Sequence, residues 1–211
     1  MGRGPLAAGM AQCQALLNTM EDLDQVLYYK VLEKLHELLN KLGEFSVINL
    51  ANNRFSGNIP FSFGYTGPRL KDIHFLNNQL TGCVPKGVGL WQDLQVLDLS
   101  INSLMGHLPN SISCLEEIQI LNFGHNKISG VLPDLVCSLK SLMNLTVAYN
   151  FFSRFDQECG YLFFRNVGFD FSLNCIPGRD MQRPQPECSG IPGSGLSCLR
   201  IPAGRPLACV G

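Results

Sequence analysis

An asparagine returns along this chain on an almost fixed period: Asn53, Asn78, Asn102, Asn126, Asn150 and Asn174, at intervals of 25, 24, 24, 24 and 24 residues. Self-similarity of this length restricts a chain to a stack of like coils, because one such unit cannot bury its own apolar face. The flanking columns keep the same register. Three residues before each asparagine stand Leu50, Phe75, Leu99, Phe123, Val147 and Phe171; five before stand Ile48, Ile73, Leu97, Leu121, Leu145 and Phe169. Two after come Phe55, Leu80, Leu104, Ile128, Phe152 and Ile176, and four after come Gly57, Gly82, Gly106, Gly130, Arg154 and Gly178. Pro60, Pro85, Pro109 and Pro133 close the first four units.

The shared pattern is LxxLxLxxNxLxGxIP, and each column has a physical reason. The L-x-L alternation is a short strand with one face inward. Stacked units pair these strands into a parallel sheet over one continuous core. The asparagine amide both donates and accepts, so a row of them can satisfy backbone groups buried at the bend. The glycine permits a tight path, and the proline ends regular pairing and turns the chain toward the convex side. The expected fold is thus an α/β-type solenoid, a right-handed superhelix with its parallel β-sheet on the concave face.

The array spans residues 44–188. From residue 151 the pattern weakens: Arg154 and Gln157 replace glycine and proline, and Asp180 and Met181 follow Gly178. Residues 151–188 therefore read as a C-terminal cap, and 189–211 as an irregular Gly/Pro/Cys tail. Upstream, Leu16, Met20, Leu23, Leu27, Val31, Leu35, Leu38 and Leu42 fall at steps of three or four, which predicts an amphipathic N-terminal helix within residues 1–43. Residues 1–9 show no continuous apolar h-region and no clear cleavage site, so the chain is either cytosolic or an aberrant or truncated start of a secreted protein, and the cysteines favour the second.

Nine cysteines, eight of them between Cys83 and Cys209, point to an oxidising compartment and structural disulfides. Absence of a CxxC pair argues against a zinc ribbon or redox motif. The candidate disulfide residues are Cys83, Cys114, Cys137, Cys159, Cys175, Cys188, Cys198 and Cys209, with Cys13 left over. Sequence does not fix their pairing. The near-repeat spacing of Cys114, Cys137 and Cys159 places them on adjacent convex turns, and Cys137–Cys159 and Cys175–Cys188 are the expected pairs. A net charge of −1, from 16 basic and 17 acidic residues, offers no nucleic-acid surface. No apolar run reaches the length of a membrane span.

The G-x-I/L/V-P ending resembles the plant-type leucine-rich repeat of extracellular proteins, in which a second short strand follows the glycine. The blocks FLNNQLTGCVP at 75–85, LDLSINSLMGHLPNSISCL at 97–115, DLVCSLKSLMNLTVAYNFFS at 134–153 and NCIPGRDMQRPQPEC at 174–188 resemble, more narrowly, the repeat domain of plant leucine-rich-repeat extensins and their extensin-less relatives. The resemblance implies a secreted cell-wall protein that recognises secreted cysteine-rich peptides of the rapid-alkalinisation type, or another protein, with wall polysaccharide as a further partner class. The Ser-Pro tail of extensins is not found here, which separates the recognition domain from wall crosslinking.

The expected binding surface is the concave face, formed by Asn49, Asp72, His74, Asp98, Asn122, His125, Thr146 and Tyr149. His74, Asp98 and Asn122 share a column, but no second histidine joins them, so neither a metal site nor catalysis is expected. No GxSxG, HExxH or P-loop pattern occurs, and no cofactor is implied. Asn144-Leu145-Thr146 is an N-glycosylation sequon. The alternative readings are an inhibitor of microbial wall-degrading enzymes using the same face, or a fragment without function.

Overall fold

The computed structural model describes residues 46–65 and 69–190. The N-terminal helix, Cys13, Cys198, Cys209 and most of the tail lie outside the described residues.

Six three-residue strands come from successive coils: β1 (Val47–Asn49), β3 (Asp72–His74), β5 (Val96–Asp98), β7 (Ile120–Asn122), β9 (Asn144–Thr146) and β11 (Gly168–Asp170). They pair in parallel in that order, so every neighbour in the sheet is one coil away in sequence. The register aligns Ile48, Ile73, Leu97, Leu121, Leu145 and Phe169 side by side. Their inward side chains are buried from Ile48 to Leu145, and Phe169 at the sheet's end is only half-buried. Below them Leu70, Leu94, Ile118 and Leu142 fill the same core.

A second set of strands lies past the bend. Here β2 (Ser56–Asn58) pairs with β4 (Gln79–Thr81), and β6 (Met105–Gly106), β8 (Lys127–Leu132) and β10 (Phe151–Phe155) pair in turn. These strands run up to or through the glycine column rather than after it. Gly57, Gly82, Gly106 and Gly130 have φ of 84°, 71°, 76° and 86°, a conformation that other residues adopt only at a cost. The fifth coil has no glycine there. It keeps its strand by a bulge between Phe152 and Arg154, which lets Arg154 pair with Val131.

The prolines then start the convex turns. Pro85 and Pro109 precede 3-10 turns Lys86–Leu90 and Asn110–Cys114, and Pro133 precedes helix α1 (Asp134–Cys137). Adjacent turns approach backbone to backbone. A Cβ on Gly64 would meet the Gly87 carbonyl oxygen at 2.2 Å, so no other residue fits there without displacement. Farther along, helix α2 (Gln157–Tyr161) is joined to α1 by the Cys137–Cys159 disulfide.

The C-terminal end closes differently. After Asn174 the chain does not make another coil. It loops back within eight residues, carrying Gly178 and Arg179, and sets Met181 at φ 56° directly before Gln182. Gln182 Nε2 donates to the Phe171 carbonyl at 3.3 Å and the Asp180 carbonyl at 3.1 Å, and its Oε1 accepts from Ile176 N–H at 3.2 Å. Arg183 locks the loop: its Nε donates to the Asn150 carbonyl at 2.9 Å, its guanidinium lies 4.5 Å from the Phe151 ring centre, and Nη1 meets Glu187 at 2.8 Å. The Cys175–Cys188 disulfide ties the loop to helix α3 (Gln185–Cys188).

Candidate binding face

The asparagine row forms the spine of the site. Asn126 Nδ2 donates to the carbonyls of Phe123 and Gly124 in its own coil and of Leu99 in the preceding one. Its Oδ1 accepts from Leu104 N–H of the preceding coil at 2.9 Å. Asn78, Asn102, Asn150 and Asn174 repeat this set, each bridging two coils. Asn53 donates within its own coil, to the carbonyls of Leu50 and Ala51. At Asn126, Asn150 and Asn174 the bend is buried, and there these amides are the partners of groups that would otherwise be left without one.

Outside this spine the sheet presents three solvent-facing rows. The row four residues before each asparagine reads Asn49, His74, Asp98, Asn122, Thr146 and Asp170. Four of these six have an internal task. Asn49, Asp98, Asn122 and Asp170 each accept, through Oδ1, the backbone N–H two residues on, at 2.9–3.1 Å. The strand ends here, that N–H has left the ladder, and a short side-chain oxygen satisfies it. Asp98 and Asp170 also take the hydroxyls of Ser100 and Ser172, at 2.6 and 2.8 Å. The second carboxylate oxygen of Asp98 faces Asn122 Nδ2 at 3.3 Å. The row is therefore half scaffold. Position alone suggested a free polar strip, but Asx turns use one oxygen of each acid or amide.

The row directly before the asparagines carries a feature that its composition only hints at. Asn52, Asn77, Ile101, His125, Tyr149 and Leu173 all lie in the left-handed region, with φ between 51° and 58°. Asn52 and Asn77 suit it and bond to each other at 2.9 Å. Ile101 does not: a β-branched residue there is strained by about 1–2 kcal/mol, yet it is 45% exposed and gains little burial in return. Beside it, the His125 and Tyr149 rings stack with centres 3.9 Å apart and planes 14° apart. The result is an apolar ledge along one rim of the sheet. Ile101 and Leu173 belong to the site by geometry, although polarity-based reading passes over them.

The strand-start row reads Val47, Asp72, Val96, Ile120, Asn144 and Gly168. Asp72, Asp98 and Asp170 give the three rows negative charge, and no Lys or Arg stands in them. Among the described residues no three His, Cys, Asp or Glu side chains are grouped to hold a metal ion. Nor is any described helix long and apolar enough to cross a membrane. All six described cysteines, Cys83 and Cys114 included, are disulfide-bonded.

Comparison with known proteins follows the same outline. The family model for the Leucine Rich Repeat matches residues 45–65, 93–115 and 117–139. Leucine-rich repeat extensin-like protein 6 of Arabidopsis thaliana is 51% identical over 162 residues, covering 76% of this chain. The chain spans only 34% of that relative's length. Among solved structures, the ectodomain of the receptor kinase SOBIR1 from Arabidopsis thaliana is 35% identical, with a TM-score of 0.56 over 61% of this chain and 69% of that one. The plant peptide hormone receptor RGFR1, solved with RGF2, gives 25% identity and a TM-score of 0.59, over 63% of this chain and 21% of its own. Period, paired sheets, amide row and these likenesses agree: the chain belongs to the leucine-rich-repeat proteins, and its repeat domain is similar to that of the plant leucine-rich repeat extensin-like protein and receptor-kinase ectodomain above.

Proposed function

We propose that this is a non-catalytic extracellular recognition protein of the plant cell wall. It binds a secreted peptide or protein along its concave sheet and contributes to wall organisation or growth signalling. The observation that carries the reading is Ile101. Stability alone favours asparagine at that turn, as in the two coils before it, so an exposed isoleucine held at a conformational cost fits a contact residue. Around it the face is built for two kinds of contact. The ledge of Ile101, Tyr149 and Leu173 suits apolar side chains, and the carboxylates of Asp72 and Asp98 suit cationic ones. The disulfides fit an oxidising location, and the structurally similar RGFR1 is a plant peptide hormone receptor solved in complex with RGF2.

The test is calorimetric titration of the folded, oxidised chain with synthetic cysteine-rich peptides of the rapid-alkalinisation type, at two salt concentrations. Binding is expected, weakening as salt rises. The double variant Asp72→Asn/Asp98→Asn keeps an oxygen for the Asx turn at position 98 while removing both charges, and should flatten the salt dependence. Tyr149→Ala should weaken binding about tenfold, the equivalent of about 1.4 kcal/mol. Absence of binding to any peptide of the panel, or unchanged affinity in Tyr149→Ala, would overturn the reading.

A further inference from the structure

The concave sheet has one corner whose geometry differs from the rest. Asn144 opens β9 with its side chain on the solvent face, exposed. Its Oδ1 accepts a hydrogen bond from Thr146 Oγ1 at 3.2 Å, which fixes the carboxamide and directs Nδ2 away from its own strand. On the neighbouring strand the residue in register with Asn144 is Gly168. A Cβ at Gly168 would stand 2.7 Å from Asn144 Nδ2, so any other residue there would crowd the amide nitrogen. Met143, directly before it, is 62% exposed. The nitrogen of a sequon asparagine thus points over bare backbone at the C-terminal side of the sheet, where β11 is the last strand among the described residues.

We propose that Asn144 carries an N-linked glycan, which covers the strand-start corner formed by Met143, Asn144 and Gly168. The proposal rests on the extracellular reading above, because the modification belongs to the secretory route. In the transfer, Asn144 Nδ2 forms a bond to the anomeric carbon of a lipid-pyrophosphate-linked oligosaccharide. The anomeric C–O bond breaks, the lipid pyrophosphate leaves with the electron pair, and Nδ2 gives up one proton. The donor is that glycolipid, supplied by the secretory pathway. Transfer to the unfolded chain needs only Asn144 and Thr146; the fold has to leave room for the product, and Gly168 does so.

The consequence is a division of the concave face. Asn144 lies at the start of its strand, and the ledge of Ile101, His125 and Tyr149 lies past the strand end, several residues along the backbone. A glycan on the first row shields the C-terminal corner and leaves that ledge and strands β1–β7 open. A partner is thereby restricted to strands β1–β7 and the rim that carries the strained isoleucine. Asp170, shielded beside the glycan and engaged with Ser172, drops out of the contact set, whereas Asp72 and Asp98 stay in it.

The experiment uses the full chain behind a secretion leader in plant cells. Protein recovered from the medium should show a mobility shift reversed by peptide-N-glycosidase, with conversion of Asn144 to Asp in the released peptide. Thr146→Ser should keep the shift, and Thr146→Ala and Asn144→Gln should abolish it while a cooperative thermal transition persists. Peroxide oxidation of Met143 should run severalfold slower in the glycosylated protein than after enzymatic deglycosylation. Met181, 74% exposed in the cap, serves as internal reference and should oxidise at one rate in both. Secreted, folded protein with a bare Asn144 overturns the glycan, and equal Met143 rates overturn the shielding. Glycosylated protein that fails the peptide titration overturns the recognition reading and leaves the glycan standing.

Discussion

The coil turn at Asn126 and the cap turn at Gln182 do one job with very different lengths of chain. Each amide follows a left-handed residue, His125 or Met181, both with φ 56°. Each donates to carbonyls of its own turn and of the preceding coil, and each accepts one N–H from that coil. Asn126 reaches this position by way of a strand, a second strand and a convex turn. Gln182 reaches it by an eight-residue loop, with one more methylene in the side chain. What propagates the stack, then, is the left-handed residue plus amide; the 24-residue coil is one way to deliver that pair. The stack ends because the cap delivers the pair without a strand, leaving no further row for another coil to join.

That comparison can be broken at either member, and the interior should be the more sensitive. Asn150 is fully buried, donates to Phe123, Val147 and Ala148, and accepts from Ile128. Asn150→Ala leaves several buried groups without partners, at about 1–3 kcal/mol each, so a loss of about 4 kcal/mol is expected in urea unfolding. Asn150→Asp keeps the shape and the acceptor but removes the donor, and should cost nearly as much. Because Asn150 ties the fourth and fifth coils, the transition should also lose cooperativity.

The cap should give next. Its disulfide, Cys175–Cys188, closes a loop with a sequence separation of 13. The paired change to serine should cost about 3 kcal/mol by loop entropy. Hydrogen exchange should distinguish this from the interior lesion. Amides of residues 168–183 should lose protection while those of 96–128 retain it. Gln182→Ala is the finer cut, removing hydrogen bonds at a partly solvated edge, with an expected loss of about 1.5 kcal/mol. Gln182→Asn should not rescue it, because the shortened side chain no longer spans from the loop to Phe171 and Ile176. Full rescue by asparagine would show that the cap is an ordinary coil turn after all.

The two members also differ in how plainly the sequence announces them. Asn126 stands in a column of identical residues, flanked by columns of like residues, so periodicity alone places it and the core around it. Gln182 breaks the period and changes residue type. It is found only through the question of what satisfies the Phe171 carbonyl and the Ile176 amide once the repeats stop. The candidate face divides along the same line. Which residues point outward followed from the two-residue alternation around Ile48, Ile73 and Leu97. The Asx turns of Asn49, Asp98, Asn122 and Asp170 did not follow, because a polar residue facing solvent looks alike whether or not it bonds its own backbone. The left-handed row was visible only as Asn52 and Asn77. Ile101, His125, Tyr149 and Leu173 carry no local signal for that conformation, which the coil imposes on them from outside.

Ile101 offers the smallest and most pointed test, because its expected sign is opposite. The substitutions in the amide row and the cap all destabilise. Ile101→Asn should stabilise, since asparagine tolerates the left-handed region and would sit beside Asn77, as Asn77 sits beside Asn52. With the isoleucine already 45% exposed, little burial is lost, and a gain of about 1 kcal/mol is expected in thermal unfolding. If Ile101 is a contact residue, the same variant should bind the peptide partner more weakly while folding more tightly. A variant that gains stability and keeps full affinity would make the isoleucine an accident of the coil, and would move the contact surface to the stacked rings of His125 and Tyr149.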